Sequence, residues 1–137
     1  MAILLDPSIV LAAADAADLN HGAAVAWFGR ADEPLLLGAL SLAELDVLLQ
    51  RELGAAASQA VLDSVVAGSI RLVAPTAEDL RRASELLAEA AEHRPRLADA
   101  LLVATAERLG IRRVAAFDRR PLAVFRPRHL RSLDFEP

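Results

Sequence analysis

Residues 96–110 read Arg-Leu-Ala-Asp-Ala-Leu-Leu-Val-Ala-Thr-Ala-Glu-Arg-Leu-Gly, and the rest of the chain is interpreted from this stretch. The spacing of Leu97 and Leu101 predicts one buried face of a helix, and Gly110 is a typical residue for its end. Asp99 lies among apolar residues, where an unpaired charge is costly or becomes neutral. We therefore expect Asp99 to have a partner, either a nearby Arg or a bound cation. The alternative is an ordinary first-turn acid stabilised by the helix dipole.

The composition indicates a soluble, cytoplasmic protein with a single domain over residues 1–137. Hydrophobic residues make up 55% of the chain, and 30 of them are Ala. The absence of Cys excludes disulfides and thiolate chemistry, and the absence of Lys excludes a catalytic lysine. The start lacks the basic segment of a signal peptide, and no apolar run reaches the roughly 18 residues that cross a membrane.

The charge is unevenly distributed along the chain. Residues 108–131 contain eight of the fifteen Arg and one acid, Asp118, which gives a local charge of +7. The remainder carries seven Arg and eighteen acids, or −11. A basic segment on an acidic body indicates a partner that bears phosphate, although a solvated Arg-rich edge would show the same pattern.

Short apolar runs alternate with helical patterns along the chain. We predict strands at residues 2–5, 35–37, 70–73, 114–117 and 133–135. Helices are predicted to begin near residues 8, 20, 41, 55, 76 and 97, with Thr76 as an N-cap. Ser41 and Glu44 have the spacing of a capping box, which predicts that the third helix begins at Ser41. The alternation predicts a three-layer α/β/α fold with a mainly parallel central sheet of four to five strands.

Four acids are predicted at the edge of the sheet where the parallel strands end. Asp6 and Asp118 directly follow strands, and Glu44 and Asp99 lie in the first turns of helices. Side chains at this edge form the functional crevice of such folds. Four carboxylates placed together would repel one another without a cation, and Mg²⁺ or Mn²⁺ prefers such oxygen ligands. The pattern therefore predicts a divalent-metal site.

Three of these acids also have an ordinary structural explanation. Glu44 could close a capping box, Asp118 could form a surface salt bridge with a neighbouring Arg, and Asp6 could cap the helix that follows it. Four such coincidences at one edge are less probable than one metal site.

Four segments resemble PIN-domain ribonucleases, specifically the VapC-type toxins of type II toxin–antitoxin systems. They are Asp6-Pro-Ser8, Ser41-Leu-Ala-Glu44-Leu45, Leu97–Gly110 and Val114–Arg120. The resemblance implies that the matching acids bind the catalytic metal, here Asp6, Glu44, Asp99 and Asp118. It also places the hydroxyl of Ser8 near the metal.

The resemblance further implies an activity and partners. The activity is endonucleolytic hydrolysis of RNA, with Mg²⁺ (Mn²⁺ possible) activating water for in-line attack. Candidates for holding the RNA backbone are Arg112, Arg113, Arg119, Arg120, Arg126 and Arg128. A cognate VapB-type antitoxin would cover the site and insert an Arg among the carboxylates. The apolar helices between residues 20 and 68 are candidate surfaces for that antitoxin and for a homodimer.

Two alternatives belong to other classes of protein. The family usually has Thr or Ser where this chain has Ala116, which keeps open a catalytically weak or inactive PIN-like scaffold that binds RNA or protein. A phosphoacceptor receiver domain shares the fold class, but it needs paired acids near Asp6 and a Lys after the last strand. This chain has neither feature.

Overall fold

The computed structural model describes residues 1–137 and has a sheet of five short strands at its centre. Every neighbouring pair of strands is parallel, in the order β3-β2-β1-β4-β5. The strands are β1 (Ile3–Leu5), β2 (Leu35–Gly38), β3 (Arg71–Val73), β4 (Arg113–Ala115) and β5 (Asp134–Glu136). The central strand β1 is wholly buried because helices cover both faces of the sheet.

Seven helices form the two outer layers. They are α1 (Pro7–Ala14), α2 (His21–Arg30), α3 (Ala39–Leu53), α4 (Ala55–Val66), α5 (Ala77–Glu89), α6 (Leu97–Leu109) and α7 (Arg120–Ala123). Helices α1–α4 pack on the face that receives Ile3 and Leu5, and α5–α7 pack on the face that receives Leu4. The predicted three-layer α/β/α fold is confirmed. None of the helices combines the length and the apolar character needed to cross a membrane.

The order of the strands creates a crevice between β1 and β4. The chain proceeds outward from β1 through β2 to β3, and then α5 and α6 carry it back across the sheet to β4. The helices that follow β1 and β4 lie on opposite faces, so the two connections separate at the carboxyl ends of these strands. Asp6 follows β1 at this point, and its backbone N–H donates to the carbonyl of Ala115 at 2.9 Å.

The predicted start of α3 at Ser41 is wrong. The helix begins at Ala39 with Gly38 as its N-cap, and no side chain caps it. Strand β2 continues directly into the helix through the extended backbone of Gly38, so no polar cap is required. Ser41 therefore lies buried inside the first turn, and the capping box with Glu44 does not form. The predicted cap at Thr76 is confirmed.

The segment after β4 also differs from the prediction. The strand ends at Ala115 rather than at residue 117, and the short helix α7 follows where no helix was expected. Beyond Ala116, the backbone N–H groups of Phe117 and Asp118 donate to the hydroxyl of Ser8 rather than to a neighbouring strand. This turn moves Asp118 away from the strand end.

Candidate metal centre

Asp6 forms the buried base of the site. It follows β1 and caps α1, and its Oδ2 accepts a hydrogen bond from the backbone N–H of Ser8 at 2.9 Å. The Ser8 hydroxyl donates to the same oxygen. Pro7 occupies the first helical position, where no N–H is needed, so the strand passes into the helix without an intervening loop. Asp6 is therefore held at the crevice with its Oδ1 free of these bonds.

Asp99 and Glu44 lie on opposite faces of the sheet and share one partner, Arg96. The Arg96 guanidinium donates from Nε and Nη2 to Asp99, at 3.1 and 3.4 Å, and from Nη1 to Glu44 at 2.8 Å. Asp99 is nearly fully buried, whereas the Glu44 side chain is 23% exposed. Arg96 is thus an arginine partner of the kind expected for Asp99.

The electrostatics of Asp6 reflect the nearby acids. The pKa of its carboxyl is raised to about 6, mainly by burial and to a smaller extent by the negative charges of Asp99 and Glu44. The hydrogen bonds from Ser8 act in the opposite direction because they favour the charged form. The structure thus brings three of the four predicted acids together, although they come from widely separated parts of the chain.

Asp118 stands apart from the other three acids. Its side chain is 57% exposed, and its carboxylate forms a distant ion pair with Arg120, 3.9 Å between Oδ1 and Nε. Its backbone is nevertheless tied to the site, because the Ser8 hydroxyl accepts from the N–H groups of Phe117 and Asp118 at 3.0 and 3.3 Å. Ser8 therefore joins Asp6 to the loop that carries Asp118.

The donor set fits a hard divalent cation that keeps several water ligands. Asp6, Glu44 and Asp99 supply only carboxylate oxygens, which Mg²⁺ and Mn²⁺ prefer, and Mg²⁺ is commonly held by one or two carboxylates. The acids do not form a closed ligand cage, since no three His, Cys, Asp or Glu side chains have metal-ligand geometry. Arg96 supplies the positive charge between Glu44 and Asp99.

The predicted RNA-contacting arginines are in different environments. Arg112 precedes β4, at the opposite edge of the sheet from the acids, and lies 3.7 Å from Asp134. Arg119 is held over the ring of Phe135 and donates to two backbone carbonyls. Arg120 is 96% exposed and lines an open cleft of about 480 Å³ together with Ser8 and Asp118. Arg120 is thus the most accessible of the three.

One functional residue, Arg96, was not assigned a role by its position in the sequence. The sequence predicted only that an unspecified nearby Arg could be the partner of Asp99. Its spacing of three residues from Asp99 allows contact across a helical turn, and this was the one signal available. The link to Glu44, 52 residues away, has no local signature.

Comparisons with known proteins agree with this architecture. The sequence model of the PIN-domain family matches residues 3–126 of this chain. Ribonuclease VapC26 of Mycobacterium tuberculosis is 30% identical over 125 residues, which are 91% of this chain and 93% of that protein. The crystal structure of VapC20 from the same organism, described as a sarcin-ricin loop cleaving toxin, matches with a TM-score of 0.81 at 26% identity, over 87% of this chain and 92% of that one.

A more distant match shares the fold alone. VapBC2 of Rickettsia felis, solved with a promoter DNA fragment, has a TM-score of 0.71 at 14% identity, over 99% of this chain and 98% of that one. The five-stranded sheet, the acids at its carboxyl edge and these matches together define the class of protein. The chain belongs to the PIN-domain family, as one of its VapC-type members. The family predicted from the four sequence segments is confirmed.

Proposed function

We propose that this chain is a toxin ribonuclease that cleaves RNA internally by divalent-metal-dependent hydrolysis. The observation that carries the proposal is the buried carboxylate of Asp6 beside those of Asp99 and Glu44, in a chain 30% identical to a ribonuclease. Mg²⁺ is the proposed metal, and Mn²⁺ is the alternative. When bound, the metal would supply Lewis-acid stabilisation of the charge that builds on the phosphate and would activate water.

Each residue of the site has a proposed part in this chemistry. Asp6 would hold the metal, and the hydrogen bonds from Ser8 to its Oδ2 keep the carboxylate from rotating freely. Asp99 and Glu44, which come from helices on the two faces of the sheet, would also hold the cation. Asp118 acts from the exposed loop, where it completes the site or holds a second ion. Arg120, at the mouth of the adjacent cleft, holds the RNA backbone.

We propose a structured RNA loop as the substrate class to test first. VapC20, described as cleaving the sarcin-ricin loop, is 26% identical to this chain and covers most of it. Unpaired loop nucleotides can be splayed out and can reach a recessed site, whereas the bases of an A-form duplex cannot. The open cleft lined by Ser8, Asp118 and Arg120 gives a loop phosphate access.

A VapB-type antitoxin is the proposed inhibitor. An apolar groove of about 590 Å³ runs between α1, α2 and α4, within the helices expected to bind a partner. Its apolar lining includes Val10, Val25, Phe28, Leu35, Val61 and Ile70. An amphipathic segment of a partner protein could bury its apolar face here, as helix-in-groove complexes do. The homodimer remains a prediction from the sequence.

The test is cleavage of RNA by purified, antitoxin-free protein. A sarcin-ricin hairpin and total cellular RNA are each incubated with Mg²⁺, with Mn²⁺ and with EDTA. Wild type is compared with Asp99→Asn and with Asp32→Asn, a matched change of an exposed loop acid. We expect metal-dependent cutting by wild type and Asp32→Asn, and none by Asp99→Asn.

Absence of cutting by folded wild-type protein in either metal would favour the PIN-like scaffold. Ala116 is the observation behind that alternative. It is fully buried and carries no hydroxyl, whereas the family usually has Thr or Ser at this position.

A further inference from the structure

Arg96 occupies a position that local helix chemistry does not favour. It is the N-cap of α6, yet its side chain makes no capping hydrogen bond. N-caps are usually Ser, Thr, Asp or Asn, and the positive end of a helix dipole disfavours a cation. The contacts of Arg96 with Asp99 and Glu44 are therefore what holds it there.

The guanidinium uses the same carboxylate oxygens that a metal would need. Nη1 lies 2.8 Å from Oε1 of Glu44, and Nε and Nη2 engage both oxygens of Asp99. A divalent cation bound to these oxygens would face a positive guanidinium within a few ångströms. The guanidinium and the metal would repel each other if both contacted these carboxylates, so one of them has to leave.

The Arg96 side chain is free to be the one that leaves. It is 61% exposed, whereas the side chain of Asp99 is 6% exposed. Because the arginine projects from the start of the helix into solvent, it can rotate away without opening the core. The acids stay in place because their own backbones belong to α3 and α6.

We propose that Arg96 is an internal occupant of the cation site, which the metal displaces on binding, so that this residue sets the metal concentration at which the site fills. The inference rests on the proposed metal-dependent function. It assigns Arg96 as a positioning residue that keeps Glu44 and Asp99 neutralised while no metal is bound. Metal binding is then an exchange of one cation for another.

The size of the effect follows from the exposure of the arginine. An ion pair with an exposed partner changes an equilibrium by less than about fivefold, and Arg96 forms two. Removing both contacts therefore predicts metal binding that is tighter by about threefold to tenfold. A lysine at this position keeps the charge but loses the forked contact with both acids, so it predicts an intermediate affinity.

The experiment measures Mn²⁺ binding directly, by the loss of the electron paramagnetic resonance signal of free Mn²⁺. The full chain, free of antitoxin, is compared as wild type, Arg96→Gln, Arg96→Lys and Arg94→Gln. Arg94 is an exposed arginine two residues earlier that takes no part in the ion pairs of Glu44 and Asp99. Both glutamine variants lower the net charge by one, so only Arg96→Gln is expected to tighten binding beyond a shared background change.

The outcomes separate this inference from the proposed function. If wild type binds Mn²⁺ and Arg96→Gln binds it equally well or more weakly, the exchange is overturned but the metal site is not. Binding by no variant, including Arg96→Gln, overturns the metal site and the exchange together. Binding by Arg96→Gln when wild type binds weakly or not at all supports the exchange.

Thermal unfolding gives a second readout that does not depend on catalysis. In EDTA, Arg96→Gln should melt below wild type because the two carboxylates of Glu44 and Asp99 lose their shared cation. Added Mn²⁺ should reduce this difference, since a ligand that binds only the folded state stabilises it in proportion to its affinity. A difference that stays constant with Mn²⁺ would indicate a purely structural arginine and would overturn the proposal.

Discussion

Asp6 shows how the needs of a site can oppose the stability of a fold. Its carboxyl is buried at the end of the central strand beside two further acids, and its pKa is raised to about 6 from an ordinary value of 3.8. Folded protein therefore binds a proton here at pH values where the unfolded chain has released it. The carboxylate costs stability at neutral pH in the metal-free protein, and this cost disappears on acidification.

The first prediction concerns this pH dependence. A shift of about two pKa units corresponds to at most about 3 kcal/mol, and Asp6→Asn has no such titration. In EDTA, wild type should therefore gain free energy of unfolding relative to Asp6→Asn as the pH falls from 7 to 4. Urea unfolding of both proteins across this range measures the difference. A difference that does not change with pH would contradict the assignment.

The second prediction concerns Ser8, whose hydroxyl donates a hydrogen bond to Asp6 and accepts from the backbone of Phe117 and Asp118. Ser8→Ala leaves the N–H groups of Phe117 and Asp118 without their acceptor, which should cost about 1–3 kcal/mol. The variant should also lose RNA cleavage at temperatures where it remains folded, because Asp6 loses a fixed orientation. Ser132→Ala, in the exposed C-terminal segment, serves as the control and should change neither quantity.

The third prediction ranks the acids. Asp118 is exposed and lies outside the buried group, so Asp118→Asn should lower kcat by roughly tenfold, as loss of a supporting group does. Asp99→Asn should lower it by at least about 100-fold, comparable with the loss of a charge-stabilising group. Single-turnover cleavage of one RNA hairpin measures both. Equal losses would place Asp118 among the principal ligands.

At the scale of elements, the contact between α5 and α6 combines a helix cap with an ion pair. The side chains of Thr76 and Asp79 form a reciprocal capping box, and Arg108 of α6 donates from Nε to Asp79 at 2.8 Å. Burial alone would raise the pKa of Asp79, but this hydrogen bond and the positive charge of Arg108 hold it below its usual value. The junction fixes α6, and with it Asp99, against the sheet.

The fourth prediction tests this junction. Asp79→Ala removes a cap and leaves Arg108 without its partner, so the free energy of unfolding should fall by about 2–4 kcal/mol. Glu78→Ala, at the neighbouring position, removes only an exposed pair with Arg81 and should cost less than about 1 kcal/mol. Urea denaturation compares the two. Similar losses would mean that the cap and the buried pair contribute little.

The elements also show where sequence reasoning succeeds. Strands and helices were predictable because apolar runs and helical periodicity are local, and Thr76 was recognisable because a capping residue acts on its own turn. The start of α3 was not, since a strand that continues into a helix through Gly38 leaves no polar signal. The link between Glu44 and Arg96 exists only after the two faces of the sheet have assembled.

At the scale of the whole molecule, most of the basic segment is engaged within the protein. Of the eight arginines between residues 108 and 131, five are held by acids, carbonyls or an aromatic ring. These are Arg108, Arg112, Arg113, Arg119 and Arg128. Arg126 and Arg131 form no ion pair, and Arg120 forms only the distant pair with Asp118; all three are exposed. The charge that suggested a phosphate-bearing partner is thus smaller on the surface than along the sequence.

The fifth prediction follows from this count. Three available arginines should give a slope of about −2 in a plot of log affinity against log salt, since each single-strand phosphate contact contributes about −0.7. Binding of a labelled RNA in EDTA, between 50 and 300 mM salt, measures the slope without cleavage. A slope steeper than about −4 would mean that internal ion pairs open on RNA binding.

The central place of β1 also determines when activity can arise. Ile3 pairs with Leu35 on one side and with Arg113 on the other, a partner about 110 residues later in the chain. Asp6, at the end of β1, meets Asp99 only once α6 has packed and β4 has closed against β1. A ribosome that makes this chain therefore has to synthesise nearly all of it before these acids can come together.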